Sequence, residues 1–421
     1  MFKELLGQFY ATFRLELYAD ILEVLYLLAP IWLPLLLLVL FWQLWMVYIR
    51  SDYILKQGFS VLEIKLPKEI LKSPRGMEIF FAQLWQTGAA TELETYWGGK
   101  VRPWYSFELA SLEGQVKFFI WTPVKWKDFI EAQLYAQYPN IEIYEVPDYT
   151  TMIHHDLNIW SMWLTYFMLE KPDPYPIKTY VDYGLDKDPK EEHKIEPMTA
   201  VLEYLGSLRK GEYAWIQIII QAHKKEGFKD GRILSKGDWK EGALTEIKNI
   251  QQSGVEEIKN AEGQTIGKFP NLTPGQTDAI KAIERSIDKY PFETIIRGGY
   301  FAKNEAFRPI SINGLIATFR QYSSPNLNGF KLGSFTDFDY PWEDYKRKRR
   351  TRREKLMLEA YKRRSFFYPP FKNYLPKPGK PFILTTEELA TIYHLPGGVA
   401  ATPTFTRIAS KKSEAPANLP I

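Results

Sequence analysis

The residues most able to do chemistry lie between Lys346 and Arg364, where the chain reads KRKRRTRREKLMLEAYKRR. Eleven of these residues are basic and two are acidic, a net charge of +9 within a chain whose total is +4. The remainder of the chain is therefore acidic on balance. The basic set is Lys346, Arg347, Lys348, Arg349, Arg350, Arg352, Arg353, Lys355, Lys362, Arg363 and Arg364. As a helix the segment carries cations on all faces, with a small apolar stripe at Leu356, Met357, Ala360 and Tyr361. Three partners fit such a helix. A nucleic-acid backbone releases counterions as each phosphate is neutralised. An anionic lipid surface attracts each cation by ~1 kcal/mol. An acidic protein surface is the third, and the sequence leaves all three open.

Catalytic motifs were sought and not found. Gly263-Gln264-Thr265-Ile266-Gly267-Lys268-Phe269 is the nearest approach to a phosphate-binding loop. Its glycines stand too close together, and Phe269 replaces the hydroxyl that would hold Mg²⁺. The chain has no cysteine and five histidines. His154 and His155 are adjacent, so on a helix or strand their side chains point apart and do not chelate. Asp337-Phe338-Asp339 has the look of an acidic metal motif but no supporting ligands. Neither a nucleophile elbow nor a zinc-protease motif is present. The expectation is a protein that is not an enzyme and uses no cofactor.

These residues must be positioned by elements that the sequence also reveals. Val24 to Ile49 is an uncharged run, VLYLLAPIWLPLLLLVLFWQLWMVYI. As a helix at ~1.5 Å per residue it spans ~39 Å, more than the ~30 Å hydrocarbon core of a bilayer. Tyr26, Trp32, Phe41, Trp42, Trp45 and Tyr48 supply aromatic anchors. Arg50-Ser51-Asp52 offers no small-residue cleavage site, so a removed signal peptide is not expected. Pro30 and Pro34 are placed to kink the span. Upstream, Phe2, Leu5, Leu6, Phe9, Tyr10, Phe13 and Leu17 have helical spacing, which fits an interfacial amphipathic segment or the start of one long helix. Lys3 and Arg14 precede the span, whereas Arg50, Lys56, Lys65 and Lys68 follow it. That excess predicts a single-pass protein of the plasma membrane with its C-terminal body in the cytoplasm. The absence of cysteine fits either side.

Beyond the span, Val61–Leu66 alternates as a strand, and Ser73-Pro74 opens a helix through Trp85. Strands over Trp104–Ala110 and Gln115–Trp121 meet at a Glu113-Gly114 hairpin. A helix over Lys125–Tyr138 and a strand over Ile141–Val146 complete a β-α-β-β-α-β order, that of the ferredoxin-like plait. A looser second pass has strands at Ile177–Tyr183, Ala214–Ala222, Phe292–Phe301 and Leu332–Phe338. Its helices are Pro197–Leu208, Thr273–Tyr290 and Ile310–Tyr322, with a polar insertion at 224–272 that reads as partly helical near 242–260. Thr385–Tyr393 reads as a helix capped by Thr386, and the rest of the last fifty residues reads as an extended arm.

Several ordered stretches resemble a family of membrane-anchored proteins linked to type IV secretion and conjugation-type ATPases in candidate-phyla bacteria and related genomes. They are VLEIKLPKEILKSPRGMEIFFAQLW (61–85), FELASLEGQVKFFIWTP (107–123), FIEAQLYAQYPNIEI (129–143) and EPMTAVLEYLGSLRKGEYAWIQIII (196–220). SFFYPPF (365–371), PFILTTEELATIYHLPG (381–397) and SEAPANLP (413–420) complete the set. In longer relatives this region precedes a hexameric, DNA-pumping-type ATPase core. The resemblance implies a membrane-proximal scaffold that assembles with copies of itself and with an ATPase supplied in trans, near a passing DNA or protein substrate. It implies partner docking through Phe366, Phe367, Tyr368, Glu387, Glu388, Leu389, Tyr393, His394 and Leu395. The alternative is a membrane-tethered nucleic-acid-binding protein acting through residues 346–364.

The expected architecture is thus α+β. An interfacial segment (1–20) leads to a transmembrane helix (21–50). Two ferredoxin-like domains follow (53–150, and 175–340 with an insertion at 224–272). A basic helix (343–366) and an extended docking tail (367–421) end the chain.

Overall fold

The computed structural model describes residues 18, 20–67, 73–88, 90–186, 196–227, 237–259, 265–338, 340–368 and 380–396. The expected interfacial segment lies outside these residues except for its last positions, as do 369–379 and 397–421 of the expected tail. A helical stretch ends in a turn at Leu28, and helix α1 (Ala29–Gln57) begins immediately after it. It is the one helix among the described residues long and apolar enough to cross a membrane. Its apolar side chains are exposed from Leu33 through Phe41, as befits a surface not packed on protein. Pro34 lies inside the helix, and near its start the indole of Trp32 donates back to the carbonyl of Leu25 at 2.8 Å. The helix runs past Arg50 and stops at Gly58, whose φ of +64° is the left-handed backbone that glycine tolerates.

Ten further elements build the body's first half and the start of its second. They are β1 (Phe59–Lys65), α2 (Arg75–Leu84), α3 (Glu92–Tyr96), β2 (Trp104–Leu112), β3 (Gln115–Pro123), α4 (Lys127–Gln137), β4 (Glu142–Val146), β5 (Trp160–Leu169), α5 (Pro197–Gly206) and β6 (Glu212–Ala222). There follow α6 (Trp239–Ser253), β7 (Val255–Lys259), β8 (Thr265–Pro270), α7 (Pro274–Ile287), β9 (Pro291–Lys303), α8 (Pro309–Ala317), β10 (Phe330–Phe335), α9 (Lys348–Lys362), β11 (Phe382–Thr385) and α10 (Thr386–Ile392).

Nine strands form one sheet in the order β10-β5-β9-β6-β2-β3-β1-β4, with β11 paired to β9. Every pairing is antiparallel. The two expected units therefore share one sheet, joined where β2 runs against β6 from Trp104↔Gln221 to Leu112↔Tyr213. Period-two alternation explains how one strand serves two faces. In β6, Ala214, Ile216, Ile218 and Ile220 enter one core, while Tyr213, Trp215 and Ile219 enter the other. The first core is roofed by α2, α4, α5, α8 and α10. The second is covered by α9, by Tyr149 and Ile153, and by Ile54 from the end of α1.

Three expectations are corrected. Ile177–Tyr183 is not a strand; Tyr180 to Asp186 is turn, and the strand is Trp160–Leu169, whose nearly continuous apolar run is buried on both faces. The insertion carries its expected helix, as α6, but the helix ends at Ser253 and Val255–Lys259 is strand β7, paired with β8. Lys268 and Phe269 of the glycine-bearing segment lie in β8, whereas Gly263 and Gln264 are outside the described residues.

The third correction concerns the tail. Residues 380–396 do not form a free arm. β11 pairs with the stretch of β9 that β5 leaves free, Phe382↔Thr294 through Thr385↔Pro291. α10 then enters the apolar roof, where Leu389, Tyr393 and Leu395 are buried. Its cap is Thr385 rather than Thr386, in a capping box with Glu388. The Tyr180 amide donates to the Thr391 hydroxyl at 3.0 Å, and the Thr179 hydroxyl to Glu387 at 2.6 Å. His394 Nε2 lies 2.6 Å from Glu196. The tail thus closes the helical layer over the junction of the two halves.

Glu388 gives this closure a pH dependence. Its carboxylate accepts from the amides of Thr385 at 2.8 Å and Ile177 at 3.0 Å. Burial dominates and pushes its pKa from an ordinary 4.5 to about 7, against the amides. A carboxyl raised on folding contributes stability that is present below about 4.5 and lost as pH rises through about 7. The expected loss from this group is ~3 kcal/mol across that window. Urea unfolding of the full chain in detergent at pH 5.5 and 8 should find the protein less stable at pH 8, and faster amide exchange in β11 beyond the intrinsic increase. Greater stability at pH 8 would contradict the assignment.

Candidate functional site

A row of polar residues crosses the buried face of the sheet beneath α9. Glu108 of β2 opposes Gln217 of β6, Gln217 opposes Arg297 of β9, and Arg297 opposes Tyr166 of β5. Burying this row requires that each group find a partner. Gln217 Nε2 donates to Glu108 at 2.9 Å, and Arg297 Nη1 donates to Gln217 Oε1 at 3.0 Å. Tyr149 and Ser106 donate hydroxyl protons to Glu108 at 2.8 and 2.6 Å.

The same row holds the C-terminal end of α9. The last carbonyls of a helix have no partner within it. Arg297 Nη1 donates to Ala360 O at 2.8 Å and Gln217 Nε2 to Tyr361 O at 3.1 Å. Arg297 Nη2 donates to Ser365 O at 2.5 Å. A cation at this end also complements the helix dipole. Arg364 follows the helix with φ +47°, a left-handed conformation usually left to glycine. A glycine there would lack the guanidinium, which meets both oxygens of Glu108 at 2.9 Å. The guanidinium also reaches Asp148, with Nη2 at 3.0 Å from Oδ1. Arg364 and Glu108 are both fully buried. Burial works against the charge of Arg364, and Glu108 and Asp148 outweigh it. Asp148 is likewise pulled up by burial, yet the Arg364 hydrogen bonds and the Thr150 amide hold it below the usual carboxylate range.

The outward face of α9 is different. Lys348, Arg352, Lys355 and Arg363 share one side of the helix and are exposed, with Lys346, Arg347 and Arg349 exposed at and before its start. Met357, Leu358, Ala360 and Tyr361 form the inner face, while Leu356 is half-buried. Of the eleven candidate cations, six are committed inward or to neighbours, among them Arg363, which pairs with Glu359 at 3.3 Å. Arg350 pairs with Asp337 at 2.9 Å and Glu354 at 2.8 Å. Arg353 lies over the Phe338 ring at 4.1 Å, Lys362 is half-buried, and Arg364 is not a surface residue at all. Arg349 stands 5.0 Å over the same ring and donates to Glu343 O. Of the acidic pair, Asp337 is thus an ion-pair partner, and Asp339 lies outside the described residues. His154 is exposed, while His155 Nε2 is 3.7 Å from Glu354.

A cavity of about 450 Å³ opens beside the C-terminal end of this helix, between α1 and the sheet. Arg50, Lys100, Arg102, Glu226, Glu293 and Tyr368 are among the residues that line it. Arg102 is held by Glu226 and Glu293, and His223 Nδ1 lies 3.1 Å from Glu293. Tyr368 accepts from Gln221 at 3.0 Å and lies 5.9 Å under the Arg50 guanidinium.

The residues expected to dock a partner are engaged within the chain. Phe366, Glu387, Glu388, Leu389, Tyr393, His394 and Leu395 are buried, and Phe367 and Tyr368 are half-buried. Their apolar surface closes the chain's own cores. Sequence reasoning missed Glu108, Gln217 and Arg297. Their signal was present as single polar residues interrupting apolar strand runs, as in AWIQIIIQA.

Removing Arg364 alone should leave Glu108 as an uncompensated buried charge. R364M is expected to cost ~3–5 kcal/mol in urea unfolding of the detergent-solubilised chain, and R364M/E108Q to recover more than half. A double variant no better than the single one would refute the ion-pair explanation.

No curated protein matches the chain. A family model described as a domain of unknown function, DUF8128, matches residues 77–407. The matched range takes in most of the sheet, the basic helix and the docked tail, and begins after α1 and β1. Residues 77–407 being most of its length, the chain belongs to the DUF8128 family.

Proposed function

We propose that this chain is a non-catalytic, membrane-anchored scaffold whose body presents a basic helix to a polyanionic partner. The observation that carries the reading is the division of labour on α9. Its inner cations have partners within the chain, and its outer cations project into solvent from a helix that is anchored on the sheet. At ~1.5 Å per residue the helix offers a rigid cationic face ~22 Å long. A docked helix has little backbone freedom left to lose on meeting a phosphate backbone, and the contacts are sequence-independent. In this reading α1 crosses the plasma membrane once, with the body cytoplasmic.

The body is read as two ferredoxin-like plaits fused through their second strands. The order β4-β1-β3-β2 in one half and β10-β5-β9-β6 in the other supports this. The resemblance to secretion- and conjugation-linked proteins supplies the assembly: copies of this chain with an ATPase in trans, and DNA as the polyanion. Because the docking residues 387–395 are engaged internally, the exposed α9 face is the better candidate contact. A tethered nucleic-acid-binding protein without a motor is the second reading, favoured by the same exposed cations.

Both readings are tested on the full chain in lipid nanodiscs. Binding of a DNA duplex is expected to weaken with salt, and K348S/R352S/K355S is expected to lower the log–log salt slope by ~2–3, about one per lost phosphate contact. R350S, which removes an inward cation, should leave the slope unchanged. An equal slope for wild type and the triple variant would eliminate the polyanion surface. Recovery of the protein from membranes without a nucleotide-hydrolysing partner would favour the second reading over the first.

A further inference from the structure

The geometry points to a second membrane contact: helix α3 and Trp97 enter the bilayer interface beside α1, so that the body is seated in the lipid surface rather than hung from it. This inference rests on the reading of α1 as a membrane span. α3 is a short element held by its own capping box, in which the Thr91 hydroxyl accepts from the Glu94 amide at 3.2 Å and Glu94 accepts from the Thr91 amide at 2.9 Å. It exposes Leu93 at 71% and Trp97 at 70%, an apolar pair without cover on the body's own surface.

Tyr96, at the end of α3, is packed on α1. The Trp45 indole donates to Tyr96 O at 2.9 Å, and the rings of Trp42 and Tyr96 lie 5.1 Å apart. Trp97 meets Trp45 edge-on at 5.7 Å. Met46, Ile49 and Tyr96 are buried together. Gly99 fixes the height of this contact. With φ +64°, it passes so close to α1 that a Cβ there would stand 2.2 Å from the Ile49 carbonyl oxygen.

Length then places the bilayer boundary. The uncharged stretch that stays clear of the body runs from Val24, in the helical stretch before α1, to Phe41 of α1, and first packs on the body at Trp42. At ~1.5 Å per residue this free stretch covers ~27 Å, short of the ~30 Å hydrocarbon core. The core must therefore extend to the level of Trp42 and Trp45, where Leu44 and Tyr48 remain 70% and 66% exposed on the sides the body leaves open. Leu93 and Trp97 stand at that level. Tryptophan and tyrosine favour this boundary, where an apolar ring meets a wet edge. Trp42, Trp45, Tyr48 and Trp97 thus make one aromatic girdle drawn from two segments, and Arg50 and Lys100 follow just beyond it toward the headgroups. The partner is the lipid interface, and the seat fixes the tilt of the sheet and of α9 relative to the membrane.

The chain has no cysteine, so single cysteines can be labelled without background. L37C, Y48C, L93C and L157C would each carry an environment-sensitive bimane in the full chain, reconstituted into phosphatidylcholine–phosphatidylglycerol vesicles. Leu157 serves as the aqueous reference, because its carbonyl bonds Asn304 at the end of β9 remote from Glu293 and the α1 contact. A lipid-attached quencher is expected to quench L93C to an extent comparable with Y48C and several-fold more than L157C, with iodide showing the reverse order. W97C is the second reporter and should behave like L93C. Lipid quenching at L37C with only aqueous quenching at L93C and W97C would overturn the seat while leaving the span intact. Aqueous quenching at L37C would overturn the span and the seat together.

Discussion

Two guanidinium groups, Arg297 and Arg364, lie buried beneath helix α9, and much of the molecule is arranged to keep them charged. Placing ions in a protein interior is expensive unless every donor is met. Here Glu108 and Asp148 balance the charge, and Gln217 and the carbonyls at the end of α9 take both Nη groups of Arg297, whose Nε stays unpartnered. The solution couples three distant parts of the chain. β2 supplies Glu108, β9 supplies Arg297, and the residue just after α9 supplies Arg364. Because β2 and β6 are also where the two halves of the sheet meet, the polar row stands at the junction of the halves. A displacement of α9 would leave buried charges unpaired, so the helix is fixed as firmly as the sheet beneath it.

That fixation divides a uniformly basic segment into two kinds of cation. Lys348, Arg352 and Lys355 point away from the sheet, while Arg350, Arg353 and Arg364 have taken partners. On the opposite face the tail performs a comparable closure. β11 occupies an edge of β9, and α10 completes the apolar roof with buried Glu387 and Glu388 held by Thr179, Thr385 and Ile177. The molecule is thus closed on both faces by segments from its C-terminal quarter, while its N-terminal helix leaves along one side.

Much of the first half was legible before any coordinates. Strands β1 to β4 and helices α2 and α4 follow alternating or helical apolar periods, with Ser73 and Glu113-Gly114 marking a helix start and a hairpin. The second half was less so. Trp160–Leu169 is apolar almost throughout, because both its faces are buried, and so carries no period-two signal. Residues 177–183 alternate by chance and run from an irregular stretch into a turn that begins at Tyr180. The helix α10 was legible, but β11 is four residues long, too short for periodicity, and the docking of both elements on the body exists through tertiary contacts.

Sequence by itself determined that one N-terminal helix is apolar enough to cross a membrane, that the body is mixed helix and sheet, and that positive charge concentrates in residues 346–364. These are properties of local runs, which composition and spacing express directly. Tertiary structure alone decided which cations face water. Arg363 and Arg364 are neighbours of the same charge and size class, yet one is exposed and the other wholly buried. The difference lies in Glu108, 256 positions away, which only folding brings within hydrogen-bonding reach.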